Sequence, residues 1–202
     1  RTRLHVAWTD WHDPEPDDER FYTRIYAADI GSDAAGRPVL AGPELILDSR
    51  ELDLSGALET QNFRPPLERE LILSLYTDGG RQSDVVGLDL TTKTITRYTR
   101  TPDFYEEPEG IFPDGSATLV EADLQNGAGP RHVDWWRFAL DGSGEKTRLT
   151  FFSEFEHYKC SNPVVSDDGR FIAGQLAKAG DDYGVGHGLL LFDLSAAALA
   201  EE

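Results

Sequence analysis

The sequence contains no methionine and only one cysteine, Cys160. A lone cysteine excludes an internal disulfide and any cysteine-rich zinc site. At the start of an apolar strand it reads as an inert, buried residue. Without a methionine, the chain is expected to be a trimmed domain or processed piece, its targeting segment removed. Basic residues are scarce: 19 Lys and Arg stand against 37 Asp and Glu, a net charge of −18. So acidic a surface repels phosphate, which argues against nucleic acid and against an anionic membrane surface. No apolar run approaches the ~18 residues of a spanning helix, so membrane insertion is not expected. Helical periodicity is missing as well, except over 195–202, where alanine and glutamate dominate.

What is present is β-sequence. Hydrophobic residues make up 39% of the 202, enough for a core. Strands are predicted at 4–9, 21–30, 44–48, 71–77, 84–90, 94–99, 117–121, 133–140, 146–151, 170–176 and 188–194. Each is short, rich in β-branched or aromatic residues, and bounded by Gly, Pro, Asp or Ser.

These strands recur in register. Segments ending at Ile30, Leu90, Leu140 and Leu194 share an aliphatic pattern, three of them with aspartate just before the last residue. The first three are followed by a polar turn and a second strand. The turns Pro113-Asp114-Gly115 and Asp167-Asp168-Gly169 precede the last two. A period of roughly 40–50 residues with four strands per unit is the signature of propeller blades. One such blade cannot bury both its faces; stacked around an axis, neighbours cover each other.

The units 107–120, 140–150 and 162–173 resemble the WD40-like (PD40) repeat of TolB-type β-propellers. That pattern runs Pro, Ser-Pro-Asp-Gly, a strand, then an Asp-Gly turn and Leu-Thr. Here Asp167 replaces the usual proline, and Leu67-Glu68-Arg69 replaces the turn signal of one unit. The resemblance implies an all-β propeller of four-stranded antiparallel blades at about 4–49, 60–100, 105–151 and 158–194, with 195–202 a short tail. Labelling strands a to d from the axis outwards, the first blade lacks a and the last lacks d. The expectation is therefore the C-terminal part of a larger propeller. The family also implies a periplasmic or extracellular location and use as a rigid platform for protein partners or ligands.

In this architecture the d–a and b–c connections share one face. The b–c loops are 10–20, 78–83, 123–132 and 178–187; the d–a connections include 49–60, 101–106 and 153–158. These long loops hold His12, His132, His157 and His187, four of the five histidines. Functional residues concentrate on long loops held by a rigid scaffold. His12, Gln125, His132 and His187 are candidate ligands for a divalent metal such as Ca or Mn, with Arg131 as an anion clamp. The alternative is that these histidines are solvated loop residues, since no His-Glu-x-x-His spacing joins them.

The starts of the inner strands give a second set: Gln61, Asn62 and Arg64; Glu106, Glu107 and Glu109; Lys159, Ser161 and Asn162. Of these, Gln61, Arg64, Glu107, Glu109, Lys159 and Asn162, with Arg131 and His132, are the candidate ligand-binding residues. Amides, acids and bases bordering a channel suit a sugar or a peptide end; equally, they can satisfy one another. The acidic run 12–19 lacks calcium-loop spacing and reads as a solvated loop. Gly184, Gly186 and Gly188 lead into a strand rather than a helix, so they form no phosphate cradle. Adjacent Trp135 and Trp136 must point to opposite sheet faces, each packing blade against blade. Trp8 and Trp11 flank the acidic loop, where Trp11 either packs or stacks on a sugar.

Two functions follow. One is a binding platform for a protein or carbohydrate on the loop face. The other, implied by resemblance to oligogalacturonate lyases, is a metal-assisted polysaccharide lyase using His12, His132, His187, Gln125 and Arg131. That enzyme needs at least three of those side chains to reach one point. No Gly-x-Ser-x-Gly elbow is present, so the hydrolase half of a propeller peptidase is not in this chain.

Overall fold

The computed structural model describes residues 4–12, 22–52, 56–127, 129, 132–181 and 185–197. The fold is all-β: four antiparallel sheets follow one another along the chain. Blade 1 is β1 (Leu4–His12), β2 (Tyr22–Ser32) and β3 (Pro38–Asp48). Blade 2 is β4 (Ala57–Phe63), β5 (Glu70–Thr77), β6 (Gln82–Asp89) and β7 (Ile95–Arg97). Blade 3 is β8 (Glu106–Ile111), β9 (Ala117–Ala122), β10 (Asp134–Ala139) and β11 (Lys146–Arg148). Blade 4 is β12 (Tyr158–Val165), β13 (Phe171–Lys178) and β14 (Gly188–Asp193). Among the described residues Leu194–Ala197 is the one α-helical segment, α1, so the expected tail helix is confined there to one turn. Among the described residues no helix is long and apolar enough to cross a membrane.

Alternation along each strand builds one core per blade interface. Leu71, Leu73 and Leu75 of β5 face blade 1 and join Ile25 and Leu47. Ile72, between them, faces the other way and joins Val120, Ala122 and Phe138 of blade 3. A strand buried on both faces reads as a near-continuous apolar run, as Leu71-Ile72-Leu73 does. Each such fully buried side chain contributes roughly 1.5–3 kcal/mol. Trp135 packs with Cys160 and Ile172 toward blade 4, while Trp136 packs toward blade 2, so the pair does point to opposite faces.

A repeated polar lock fixes each outer strand to its neighbour. The backbone N–H of Thr23, Val85 and Trp135 donates to the hydroxyl of Ser49, Thr99 and Thr150, at 3.0, 2.9 and 2.9 Å. In blades 2 and 3 an ion pair adds to it, Arg97 with Asp84 and Arg148 with Asp134. The same two aspartates also accept the backbone N–H of Thr101 and Ser153, which starts the run to the next inner strand. Buried carboxylates with this many donors hold the loop end rigid.

The Asp-Gly turns are equivalent, as the repeat requires. Gly115 donates its N–H to Phe112 O and Gly169 to Ser166 O, both at 2.8 Å. Their φ angles are +69° and +71°, in the left-handed region that favours glycine. Asp114 and Asp168 each accept the N–H two residues on.

Several strand limits differ from the sequence expectation. β3 starts at Pro38 rather than 44, while β7 and β11 are only three residues long. The inner strand of blade 2 starts at Ala57, ahead of Gln61. Its tract Leu58-Glu59-Thr60-Gln61-Asn62 is polar because an inner strand borders the axis, so hydrophobic periodicity does not mark it.

Candidate functional site

The three inner strands share an irregularity. β4 slips register between Thr60 and Asn62, β8 between Pro108 and Gly110, and β12 between Ser161 and Val164. The residues left out of the ladders are Gln61, Glu109, and Asn162 with Pro163. A β-bulge re-aims a side chain and often borders a functional site. Here three bulges recur at equivalent places in successive blades, on the strands nearest the axis. Asn162, at φ +50°, holds the left-handed backbone its bulge requires.

Around them a carboxyl cluster forms. Ligand oxygens of Glu107, Glu109 and Glu121 lie within 4.8 Å of one another, the only such group of three His, Cys, Asp or Glu among the described residues. Blade 2 contributes Glu59 and Tyr76, whose hydroxyl donates to Glu59 Oε2 at 2.7 Å and contacts Glu107. Tyr105 donates to the other Glu107 oxygen. Blade 4 contributes the Asn162 N–H, which donates to Glu121, and buried Lys159, whose charge acts on Glu121. Asn62 Nδ2 donates to Glu109 O at 3.3 Å, tying blade 2 to blade 3 at the bulge.

Burial governs the electrostatics. It pushes Glu109 up to about 9, helped by the charges of Glu107, Glu121 and Glu59. Burial also pushes Glu121 up to about 8; the charge of Glu107 adds to this, while the Asn162 N–H and Lys159 oppose it. Glu107 is raised by burial and held back by its two tyrosine hydrogen bonds. Like charges packed out of water resist simultaneous ionisation, so the cluster holds protons that a cation could displace. Aromatic rings border it: Trp11 lies 6.2 Å from Tyr76, and Tyr76 lies 6.4 Å from Tyr105.

The sequence-derived candidates divide. Glu107, Glu109, Lys159 and Asn162 meet here. Gln61 lies on the neighbouring bulge and donates to Ser74 Oγ at 3.2 Å. Arg64 does not belong with them, a correction to its expected place on the loop face. It follows the end of β4, at the Asp-Gly-turn end. There it donates to Glu70, Tyr98, Gly115 O and Leu140 O at 2.8, 2.8, 2.8 and 2.9 Å. Four hydrogen bonds commit the guanidinium to clamping blade 2 onto blade 3. Glu59, Tyr76, Tyr105 and Glu121 were missed. Tyr76 and Glu121 sit in apolar strands that read as core, and nothing in the spacing marks them.

The expected metal set does not form. His12 stacks on Tyr22, ring centroids 4.7 Å apart, with its Nε2 3.1 Å from Asp10. His187 Nε2 is 2.8 Å from Asp181 in blade 4. Gln125 Nε2 donates to the His132 carbonyl at 3.0 Å, closing its own loop in blade 3. His157 is exposed beside Glu156. The rings of His12, His157 and His187 each meet a carboxylate of their own blade rather than one another. The lyase reading is thereby left without a common ligand point among the described residues. Arg131 and most of the acidic run 12–19 lie outside the described residues. Cys160 is buried, and burial raises its thiol pKa, in keeping with an inert core cysteine.

No family model matches the chain, and no curated protein matches it. Solved structures do. TolB from Acinetobacter baumannii aligns with TM-score 0.50 at 17% identity, covering 95% of this chain and 50% of TolB. A protein assigned as TolB from Agrobacterium tumefaciens aligns with TM-score 0.57 at 15% identity, covering 95% of this chain and 78% of its own. A puromycin-hydrolyzing peptidase of Mycobacterium tuberculosis aligns with TM-score 0.52 at 15% identity, covering 94% of this chain and 26% of the peptidase. The chain thus spans half the length of the Acinetobacter TolB and about a quarter of the peptidase. At these identities the likeness speaks for architecture alone. With four antiparallel sheets in sequence, not closed into a ring, the chain has the fold of a TolB-like β-propeller.

Proposed function

We propose that this chain is a rigid binding platform, and that its ligand places a cationic group at the Glu107, Glu109 and Glu121 carboxyls beside the propeller axis. One observation carries the reading: three carboxyls of blade 3 converge there with Tyr76 of blade 2 and the Asn162 N–H of blade 4, through bulges that free Glu109 and Asn162 from strand pairing. A scaffold of packed blades positions such groups without needing to move. The ligand is a protein or small molecule; its cationic group is an amine, a guanidinium or a divalent ion such as Ca or Mn. Carboxyl oxygens are hard donors suited to those ions. The family's periplasmic or extracellular setting is compatible with such a role.

Thermal melting at pH 8.5 with Ca²⁺, Mn²⁺, lysine amide and arginine amide tests it. At least one probe is expected to raise the melting temperature of the wild type and not that of Glu109→Gln. If none shifts the wild type, or if Glu109→Gln responds equally, the axial carboxyls are not the ligand site.

A further inference from the structure

The three d–a connections begin alike, at the lock hydroxyls of Ser49, Thr99 and Thr150. The third then diverges. Phe151, Phe155 and Tyr158 are 53%, 66% and 42% exposed, three large aromatics within eight residues at the loop end. The segment is firmly mounted. Phe152 turns inward to the blade 3–blade 4 core, edge-on to Phe192, and Phe155 N–H donates to Phe152 O at 2.9 Å. Exposed Glu154 and Glu156 alternate with the aromatics along the segment. Exposed apolar groups rimmed by charge mark protein contact surfaces, and aromatics are enriched in such contacts.

The same segment shows which chemistry these rings accept. Arg148 lies with its guanidinium carbon 4.4 Å from the Phe151 ring centroid and pairs with Glu154 at 3.1 Å. An aromatic face with a carboxylate alongside suits a planar guanidinium. Phe155 and Tyr158, on either side of Glu156 in the sequence, offer exposed rings and a carboxylate again, the carboxylate 3.5 Å from His157 Nε2 and the rings without an arginine of this chain on their faces among the described residues. The −18 net charge favours a basic partner at long range and disfavours an acidic one.

We propose that Phe155 and Tyr158, with Glu156, dock a basic protein segment that interleaves Arg with apolar side chains. This goes beyond the axial carboxyl reading and stands on a separate surface of the chain. The test uses an amidated peptide alternating arginine and leucine, with a glutamate-for-arginine counterpart as control, followed by fluorescence anisotropy at 150 mM salt. The basic peptide should bind and the acidic one should not. The charge-neutral variants Phe155→Ser and Tyr158→Ser should each weaken binding, on the order of tenfold, with melting unchanged because both side chains are exposed. The two serine substitutions should weaken binding in the Glu109→Gln background as well, where the axial carboxyls no longer contribute their full charge. Equal affinity for wild type and both serine variants would reduce the attraction to bulk charge and overturn the proposal. Loss of binding in Glu109→Gln alone would overturn it too, while leaving the axial site intact as a reading. If Phe155→Ser melts early, Glu156→Lys replaces it; unchanged affinity in that variant is equally fatal.

Discussion

The hydroxyl of Tyr76 on blade 2 touches two carboxyls at once, Glu59 in its own blade and Glu107 in the next. A phenol has one proton, so it cannot donate to both. Full pairing of the three groups needs a second proton, and burial of Glu107 holds its carboxyl toward the protonated form. Tyr76→Phe removes the donor they share and leaves two acids face to face. Urea denaturation should show a loss of about 1–3 kcal/mol, larger at pH 8 than at pH 6. A loss independent of pH would mean the tyrosine acts by packing alone.

The carboxyl cluster sets a pH dependence whose sign is fixed. Glu109 and Glu121 have folded-state values raised to about 9 and about 8, from an ordinary value of 4.5. The folded state therefore binds these protons more tightly than the unfolded one. Their stabilising contribution is complete below pH 4.5 and is lost as pH rises through 8 to 9. Between pH 6 and pH 9 the melting temperature should fall, and Glu109→Gln should flatten the slope. Calorimetry across that range checks it; a wild-type curve no steeper than the variant's contradicts the assignment. A cationic ligand at this site should bind more tightly as pH rises, because it competes with protons.

Two equivalent glycines should respond unequally. Gly115 and Gly169 share the left-handed backbone, so alanine costs each about 1 kcal/mol. A Cβ at Gly115 would also sit 2.0 Å from Pro65 O, whereas at Gly169 the nearest atom is Pro113 Cδ at 3.3 Å. A carbonyl of a neighbouring blade cannot yield cheaply. Gly115→Ala should cost about 2–4 kcal/mol and Gly169→Ala about 1, read from denaturant midpoints. Equal costs would mean that blades 2 and 3 separate freely at this turn.

Arg64 separates stability from binding. Arg64→Lys keeps the charge but cannot reproduce four hydrogen bonds in fixed directions. A destabilisation of about 2–4 kcal/mol is expected, from two blade-3 carbonyls left without donors. Binding of any cationic probe at the axial carboxyls should be unchanged once the protein is folded. Loss of binding at full stability would return Arg64 to the site.

Blade repetition was legible because it is a covalent pattern. The Asp-Gly turns and the strand ends at Ile30, Leu90, Leu140 and Leu194 recur wherever the same local geometry must be built, and they predict an all-β propeller. Glu107, Glu109, Lys159 and Asn162 were legible as polar residues where inner strands had to run. Their company was not. A slip of register is invisible in sequence, since one unpaired residue leaves composition unchanged. Yet the slips at Gln61, Glu109 and Asn162 decide which side chains leave the ladders. Tyr76 and Glu121 look like ordinary strand residues; pairing of β8 with β9 sets Glu121 opposite Glu107, and the stacking of blades brings Tyr76 to it. The histidines show the converse. Their loops share one end of the molecule, as strand order dictates, but the rings of His12, His157 and His187 each meet a carboxylate of their own blade. Sequence determined the strands, the repeat and the end on which each loop lies. The register within blade 3, the distances across blade boundaries, and hence the carboxyl site with its proton demand, came only from tertiary structure.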